Sequence, residues 1–341
     1  MKRPLVIGSW LFAVLAAAAV FAAIQVGRIL HSPVQVPDDG LNFEIVSGAS
    51  FAAICNDLAK AGVIVHPALF RVYARWRGLA GAVQAGEYRI GPGTTPAELL
   101  DKFVSGDVRL YSFTLVEGWN QWEMLAALHK HPSIEATLTD EDWPAFLEDI
   151  GAEVTHPEGL FLPETYRFPR GTADRQVLHQ AYDQMQTVLD QEWMQRAGDL
   201  PLNSRYQALI LASIVEKETA RADERAKIAG VFVKRLKKHM RLQTDPTVIY
   251  GIGQGFDGNL TRRDLQTDTP YNTYTRQGLP PTPIAMPGRA AINAALHPAD
   301  ADALYFVATG LGDGSHTFSA TKAEHDAAVA KYLERLRSQR N

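Results

Sequence analysis

The sequence predicts an α+β chain: a single N-terminal transmembrane helix, a small βααβ module, then a helix-rich domain with long loops. Three observations carry this. An uncharged apolar run opens the chain, a strand–helix–helix–strand pattern follows over residues 42–90, and the remainder alternates helical periodicity with turn-rich stretches. The chain has 341 residues, 46% hydrophobic and 21% charged, a globular composition. That length suits two or three domains. A net charge of −4 argues against a nucleic-acid protein, which shows a basic excess. The single cysteine, Cys55, excludes an intramolecular disulfide and a cysteine-based metal site.

Leu5 to Ile24 is twenty residues without a charge. At 1.5 Å per residue this crosses a hydrocarbon core of about 30 Å. Lys2 and Arg3 precede it and only Arg28 follows closely, so the positive-inside bias keeps the first residues in the cytoplasm and exports the rest. A cleaved signal peptide has a shorter apolar core with a small-x-small site after it. Here such sites, at Ala16 to Ala19, fall inside the run, which favours an uncleaved anchor. The expected organisation is a cytoplasmic stub 1–4, an anchor 5–26, a linker 27–40, a module 41–107 and a main domain 108–341. The expected localisation is the cell inner (cytoplasmic) membrane, single-pass, with the N-terminus cytoplasmic and the main domain periplasmic or otherwise extracytoplasmic.

Within the module, Asn42 to Val46 alternates like a strand. Ser50 can cap a helix through Ala59, with Gly62 at its end. A second helix covers Ala68 to Trp76, and Gln84 to Ile90 reads as a second strand. Thr95-Pro96-Ala97-Glu98 is a capping box that opens a helix to about Phe103. This βααβ pattern is similar to a LysM-type glycan-binding unit. In the main domain, helices are expected at 121–130, 140–149, 174–197, 204–220, 223–238 and 321–337. Turn-rich stretches at 241–288 and 309–318 separate the later ones. The charged runs at 223–238 and 331–340 read as solvated helix faces.

The chemistry converges on one helix. Ser204-x-x-Gln207 starts it, an apolar run through Val215 follows, and Glu216-Lys217-Glu218-Thr219 ends it. At about 100° per residue, Glu216 falls near the line of Leu209 and Ala212. Glu218 is rotated by about 200° and is expected outside, paired with Arg221. A carboxylic acid held against apolar side chains has a raised pKa and serves as a general acid near neutral pH. Periodicity alone favours the plainer reading, in which Glu216 only marks where the helix leaves the core and meets solvent. Gln243-Thr244-Asp245-Pro246 and Tyr271-Asn272-Thr273-Tyr274 supply residue types that stack on sugar rings and bond their hydroxyl and acetamido groups. An ordinary proline-rich surface connection has the same composition. His316 and His325 lack a carboxylate at metal-ligand spacing and read as structural. No GxSxG, HExxH, Walker or dinucleotide motif is present, and no cofactor or metal is expected.

The strings LASIVEKETA (Leu211 to Ala220), RLQTDPTVIYG (Arg241 to Gly251) and YNTYTRQGLPPTPIAMPG (Tyr271 to Gly288) resemble the endolytic murein transglycosylase (MltG, YceG-like) family. EGLFLPETY (Glu158 to Tyr166) and ALYFVATG…HTF match it too. Val116 before Glu117-Gly118, and Glu164, depart from its usual proline and aspartate. The resemblance implies a membrane-anchored lyase that cuts the β-1,4 bond between MurNAc and GlcNAc within glycan strands and forms 1,6-anhydro-MurNAc ends. The anchor would hold it near the membrane surface where nascent strands emerge, which suggests a role in terminating their elongation. It carries catalysis to Glu216, acting first as acid and then as base. Gln243, Asp245, Tyr250, Tyr271, Asn272 and Tyr274 are the expected glycan-lining set. The expected partners are peptidoglycan glycan strands and the membrane, with peptidoglycan synthases or division proteins as candidates and no nucleic acid. Three alternatives stay open at this point. They are a muramidase-type hydrolase in which Asp245 activates water, a non-catalytic peptidoglycan-binding scaffold, and a tethered assembly protein.

Overall fold

The computed structural model describes residues 4–300 and 302–340. Lys2 and Arg3, which set the expected orientation, lie outside the described residues. The chain divides into two compact units. Residues up to Tyr111, with Phe168–Arg170, form the first; Ser112–Arg167 and the residues from Gly171 onward form the second.

The first unit opens with α1 (Pro4–His31). Among the described residues, Ala13–His31 is the one stretch long and apolar enough to cross a membrane. Its residues 13–24 are exposed, and burial begins at Gln25 and is complete at Leu30. The chain continues through β1 (Leu41–Ile45), α2 (Phe51–Lys60), α3 (Pro67–Trp76), β2 (Gly86–Ile90) and α4 (Pro96–Ser105). Each boundary has a local cause. Ser50 accepts from the Ala53 N–H and starts α2. Thr95 and Glu98 close a reciprocal capping box on α4, and left-handed Gly106 ends it. β1 and β2 pair antiparallel with Phe43 opposite Tyr88. Phe43, Leu58, Phe70, Tyr88, Leu99 and Phe103 form the core beneath them.

The chain then runs through β3 (Leu110–Thr114), α5 (Gln121–Lys130), β4 (Ile134–Glu135), α6 (Trp143–Asp149), β5 (Thr165–Pro169), β6 (Thr172–Ala173) and α7 (Asp174–Met194), which belong to the second unit except for Leu110, Tyr111, Phe168 and Pro169. Then follow α8 (Arg205–Glu218), α9 (Ala222–Lys237), α10 (Asp245–Ile252), α11 (Arg262–Gln266), α12 (Arg289–Leu296), β7 (Tyr305–Ala308), β8 (His316–Ser319) and α13 (Lys322–Arg340). The strands form two-stranded pairs, β3 with β5, β4 with β6, and the β7–β8 hairpin. The centre is α8, against which α7, α9, α10 and α12 pack. Every residue from Ala208 to Val215 is buried, so α8 has no solvent face until its last turn.

Several sequence expectations are corrected here. The stretch 241–288 is not turn throughout, since it holds α10 and α11. Pro246 looks like a breaker but occupies the first turn of α10, where no intrahelical N–H is required. Thr261 caps α11 through Asp264, which stands where a glutamate is the usual signal. Residues 316–319 form β8 rather than turn; four-residue strands are too short to show alternation. The charged run on α9 is not wholly solvated, because Glu224 and Arg235 are buried. Each is bonded: Glu224 to His316, and Arg235 to the carbonyls of Arg241, Leu242 and Leu304.

Candidate active site

The last turn of α8 emerges between two sets of partners. Glu216 turns toward the segments 117–119 and 286–288. These pair through the Gly118 N–H to Met286 O at 2.9 Å and the Met286 N–H to Trp119 O at 2.7 Å. The Gly288 N–H donates to Glu216 Oε2 at 2.9 Å. The Arg225 guanidinium lies 3.7 Å from its other oxygen and 3.8 Å from Glu117. Burial pushes the Glu216 pKa above the ordinary carboxylate range, the Gly288 hydrogen bond opposes this, and the Glu117 charge adds to it. A Cβ at Gly288 would meet the end of the Glu117 side chain, which is half exposed and can swing aside. A groove of about 570 Å³ beside it is lined by Glu117, Arg225, Glu164, Glu192 and Arg289.

Glu218 does not point outward to Arg221, as the helical-wheel argument expects. The Thr244 hydroxyl donates to its carboxylate, while Arg221 binds Asp223 and the Asp313 carbonyl instead. The wheel misleads because a helix buried on every side has no stripe from which to define an outside. Burial raises the Glu218 pKa, the Thr244 hydrogen bond opposes it, and the nearby Asp245 charge raises it further. Glu218 lines a pocket of about 430 Å³ together with Gln243, Asp245, Tyr274, Tyr305 and His325. The Tyr274 hydroxyl donates to Asp245 Oδ1 at 2.5 Å. Gln243 is held at φ +50°, a left-handed conformation uncommon for a side-chain-bearing residue. Its N–H donates to Thr273 O at 3.2 Å, which ties the 243–245 segment to the 271–274 segment.

The other sequence-chosen residues lie elsewhere. Tyr250 is buried, and its hydroxyl donates to Glu158 Oε2 at 3.0 Å. Its ring lies 4.9 Å from that of Tyr271 and 5.6 Å from that of Trp122. The Tyr271 hydroxyl pairs with Thr282 Oγ1 at 2.9 Å. Trp122, Tyr250, Lys217 and Asn120 line a further cleft of about 540 Å³. Asn272 is 1% exposed. Its amide donates to the carbonyls of Asp264, Leu265 and Thr267 and accepts the Tyr274 N–H, so all its polar atoms hold the loop together. The structure therefore brings Gln243, Asp245 and Tyr274 around Glu218. It sets Tyr250 and Tyr271 around Glu158 and leaves Glu216 with Gly288 and Arg225.

Sequence reasoning did not single out Glu158, Thr244, Arg235 or Tyr305 as site residues. Glu158 accepts the Gln121 N–H at 3.0 Å as well as the Tyr250 hydroxyl. Its burial pushes the pKa up to about 8 against those hydrogen bonds and a weaker one from the Gly159 backbone. The available signal was an isolated glutamate directly before Gly159 and the apolar Leu160-Phe161-Leu162. His316 and His325 engage no metal cluster among the described residues. His316 Nδ1 meets Glu224 at 2.7 Å, and His325 stacks on Tyr305 at 5.2 Å.

The family model described as "YceG-like family" matches residues 43–331. A Bacillus subtilis (strain 168) protein named endolytic murein transglycosylase is 33% identical over 91% of this chain and 90% of its own length. A protein of that name from Streptococcus pneumoniae (serotype 2, strain D39) is 27% identical over 85% of this chain and 58% of its own length. The crystal structure of a yceG-like protein from Listeria monocytogenes matches with a TM-score of 0.56 at 28% identity, over 85% of this chain and 99% of that one. With a family match from the first strand of the βααβ pattern into α13, the chain belongs to the YceG-like family.

Proposed function

We propose that the chain is a membrane-anchored endolytic peptidoglycan lytic transglycosylase. It cuts the MurNAc–GlcNAc β-1,4 bond within glycan strands and leaves 1,6-anhydro-MurNAc ends. The observation that carries this is the convergence of three separated motifs, 211–220, 241–251 and 271–288, on one pocket around Glu218. The chain's family has relatives named endolytic murein transglycosylase.

In this reading Glu218 is the acid. Burial and the Asp245 charge raise its pKa above the ordinary carboxylate range, which favours the protonated form that can donate to the leaving glycosidic oxygen. The same carboxylate, now a base, takes the proton from the MurNAc C6 hydroxyl as that oxygen attacks C1. One bond breaks and one forms within the same sugar, the proton count closes on a single carboxylate, and no water is consumed. Asp245, accepting from Tyr274, supplies the negative charge that holds the Glu218 pKa up and favours developing positive charge at C1. Gln243, Tyr274 and Tyr305 offer amide and ring surfaces to the sugars. Tyr250 and Tyr271 support the neighbouring cleft, whereas the amide of Asn272 is already fully bonded. A hydrolase usually needs a second carboxylate to activate water; Asp245 is the nearby candidate, its Oδ1 accepting from Tyr274, and the chemistry of the product ends separates the two reactions.

Glu216 is the second reading. Its favouring observation is a raised pKa beside an arginine and a backbone N–H. Glu216→Gln and Glu218→Gln, each incubated with glycan strands and read by mass spectrometry of the ends, separate the two. Loss of anhydro ends in Glu218→Gln alone supports the first reading, and loss in Glu216→Gln alone supports the second.

The remaining assignments belong to the same proposal. Residues 41–107 form a LysM-like glycan-binding module, and 108–341 form the catalytic domain with its long loops. Residues 5–26 anchor the chain in the inner membrane with the N-terminus cytoplasmic and the catalytic domain periplasmic. Tethering at the membrane surface places the enzyme where strands are polymerised and lets it terminate them, in company with synthases or division proteins. A linker lengthened by several tens of residues that leaves glycan length unchanged would remove the tethering argument.

A further inference from the structure

We infer that the outward face of α3 is a second membrane contact, one that lays the first unit onto the anionic surface of the bilayer holding α1. This rests on α1 being a membrane anchor.

The position at which α1 leaves the lipid is set by where its exposure ends. Its residues 13–24 are exposed, and from Gln25 the helix is covered by its own unit. The remaining seven residues to His31 rise about 10 Å. The unit is therefore built directly against the emerging end of the anchor. Ile29 and Leu30 line an apolar groove together with Val63, Val65, Leu69 and Phe70. The start of α3 is thus next to the segment that has just left the bilayer, within the same compact unit.

The face that α3 turns outward is apolar. Phe70 and Ala74 are buried on its inner side. On the opposite side Val72 is 62% exposed and Trp76 80%, with Val65 just before the helix at 64%. At 100° per residue Leu69, Val72 and Trp76 fall within about 60° of one another. Such a contiguous apolar stripe on a soluble surface marks an interaction site, and a tryptophan at its end suits the lipid–water interface.

The flanking charge identifies the partner. Residues 61–86 contain no aspartate or glutamate and three arginines, Arg71, Arg75 and Arg77, in a chain whose net charge is −4. Arg77 is tied to Asp101 at 3.1 Å. Arg71 and Arg75 have no acidic partner among the described residues. They lie on the edge of the exposed face, about 60–100° from Val72. An apolar strip edged by arginines is the pattern of a helix lying in the headgroup layer of an anionic membrane.

The test uses the full-length chain reconstituted into vesicles of phosphatidylethanolamine and phosphatidylglycerol with brominated acyl chains. Flotation reads the anchor. The difference in tryptophan fluorescence between wild type and Trp76→Phe isolates Trp76 from the other five tryptophans. The expected result is that bromolipid quenches the Trp76 component by at least half. The Arg71→Gln/Arg75→Gln pair, or phosphatidylcholine in place of the anionic lipid, should cut that quenching at least twofold. A chain that floats while its Trp76 component stays unquenched overturns the inference and leaves the anchor standing. A Trp76 signal that answers to added glycan strands and not to bromolipid overturns it in favour of a glycan-facing surface. A chain that fails to float overturns the anchor and this inference together.

Discussion

Glu158→Gln probes a fully buried carboxyl in the second unit. Glu158 is 0% exposed, its Oε2 accepts from the Gln121 N–H and the Tyr250 hydroxyl, and its Oε1 has no partner. Burial raises its pKa from 4.5 to about 8. A folded-state pKa above the unfolded one means the native state holds the proton more tightly. The associated stability is full below pH 4.5 and is lost as pH rises through about 8. The whole loss is about 5 kcal/mol, with a slope approaching 1.4 kcal/mol per pH unit inside that window. Glutamine keeps an acceptor for both donors and cannot ionise. A buried amide N–H without a partner adds an offset of about 1–3 kcal/mol that does not vary with pH, so the slope is the readout. Urea unfolding of wild type and Glu158→Gln from pH 5 to 9 should show the variant gaining on wild type by several kcal/mol toward pH 9. Parallel curves across that range would refute the argument that burial keeps this carboxyl protonated.

Other expectations follow from single contacts. Turnover should fall as pH rises through the elevated pKa of Glu218, and Asp245→Asn should move that alkaline limb to lower pH by removing a charge that holds the proton on; a limb that moves upward contradicts this assignment. Gly230→Ala places a Cβ 2.4 Å from the Ala299 carbonyl oxygen. The resulting overpacking of about 1–3 kcal/mol exceeds the gain in helix propensity of about 1 kcal/mol, and an unchanged or raised melting temperature would count against it. Asn272→Ala strands three carbonyls and the Tyr274 N–H. It should cost at least about 2 kcal/mol in unfolding free energy, whereas a variant as stable as wild type would show the amide to be dispensable to the loop.

Local signals carried the first unit well. Ser50 and the Thr95–Glu98 box mark helix starts that the structure places within a residue or two, because a cap is a short-range chemical event. The same logic found α8 but assigned its faces wrongly. Its orientation depends on α7, α9, α10 and α12 closing around it, and no property of 204–220 alone reports that. Choosing Gln, Asp and Tyr by chemical type located three residues of the Glu218 pocket. Type could not separate Tyr274, whose hydroxyl reaches Asp245 in that pocket, from Tyr250, whose hydroxyl is spent on Glu158. Asn272 looked like a sugar-binding amide and is instead committed to three carbonyls. The Glu224–His316 contact joins residues 92 positions apart, so sequence spacing could not report it.

In the proposed reaction one carboxylate transfers the glycosyl carbon to an internal hydroxyl without water. The most direct measurement is cleavage of peptidoglycan strands by the full-length chain in water enriched in oxygen-18, followed by mass spectrometry of the MurNAc ends. The expected products are 1,6-anhydro ends carrying no oxygen-18, absent when Glu218→Gln replaces wild type. Reducing ends labelled with one oxygen-18 would contradict this reaction and make the chain a hydrolase.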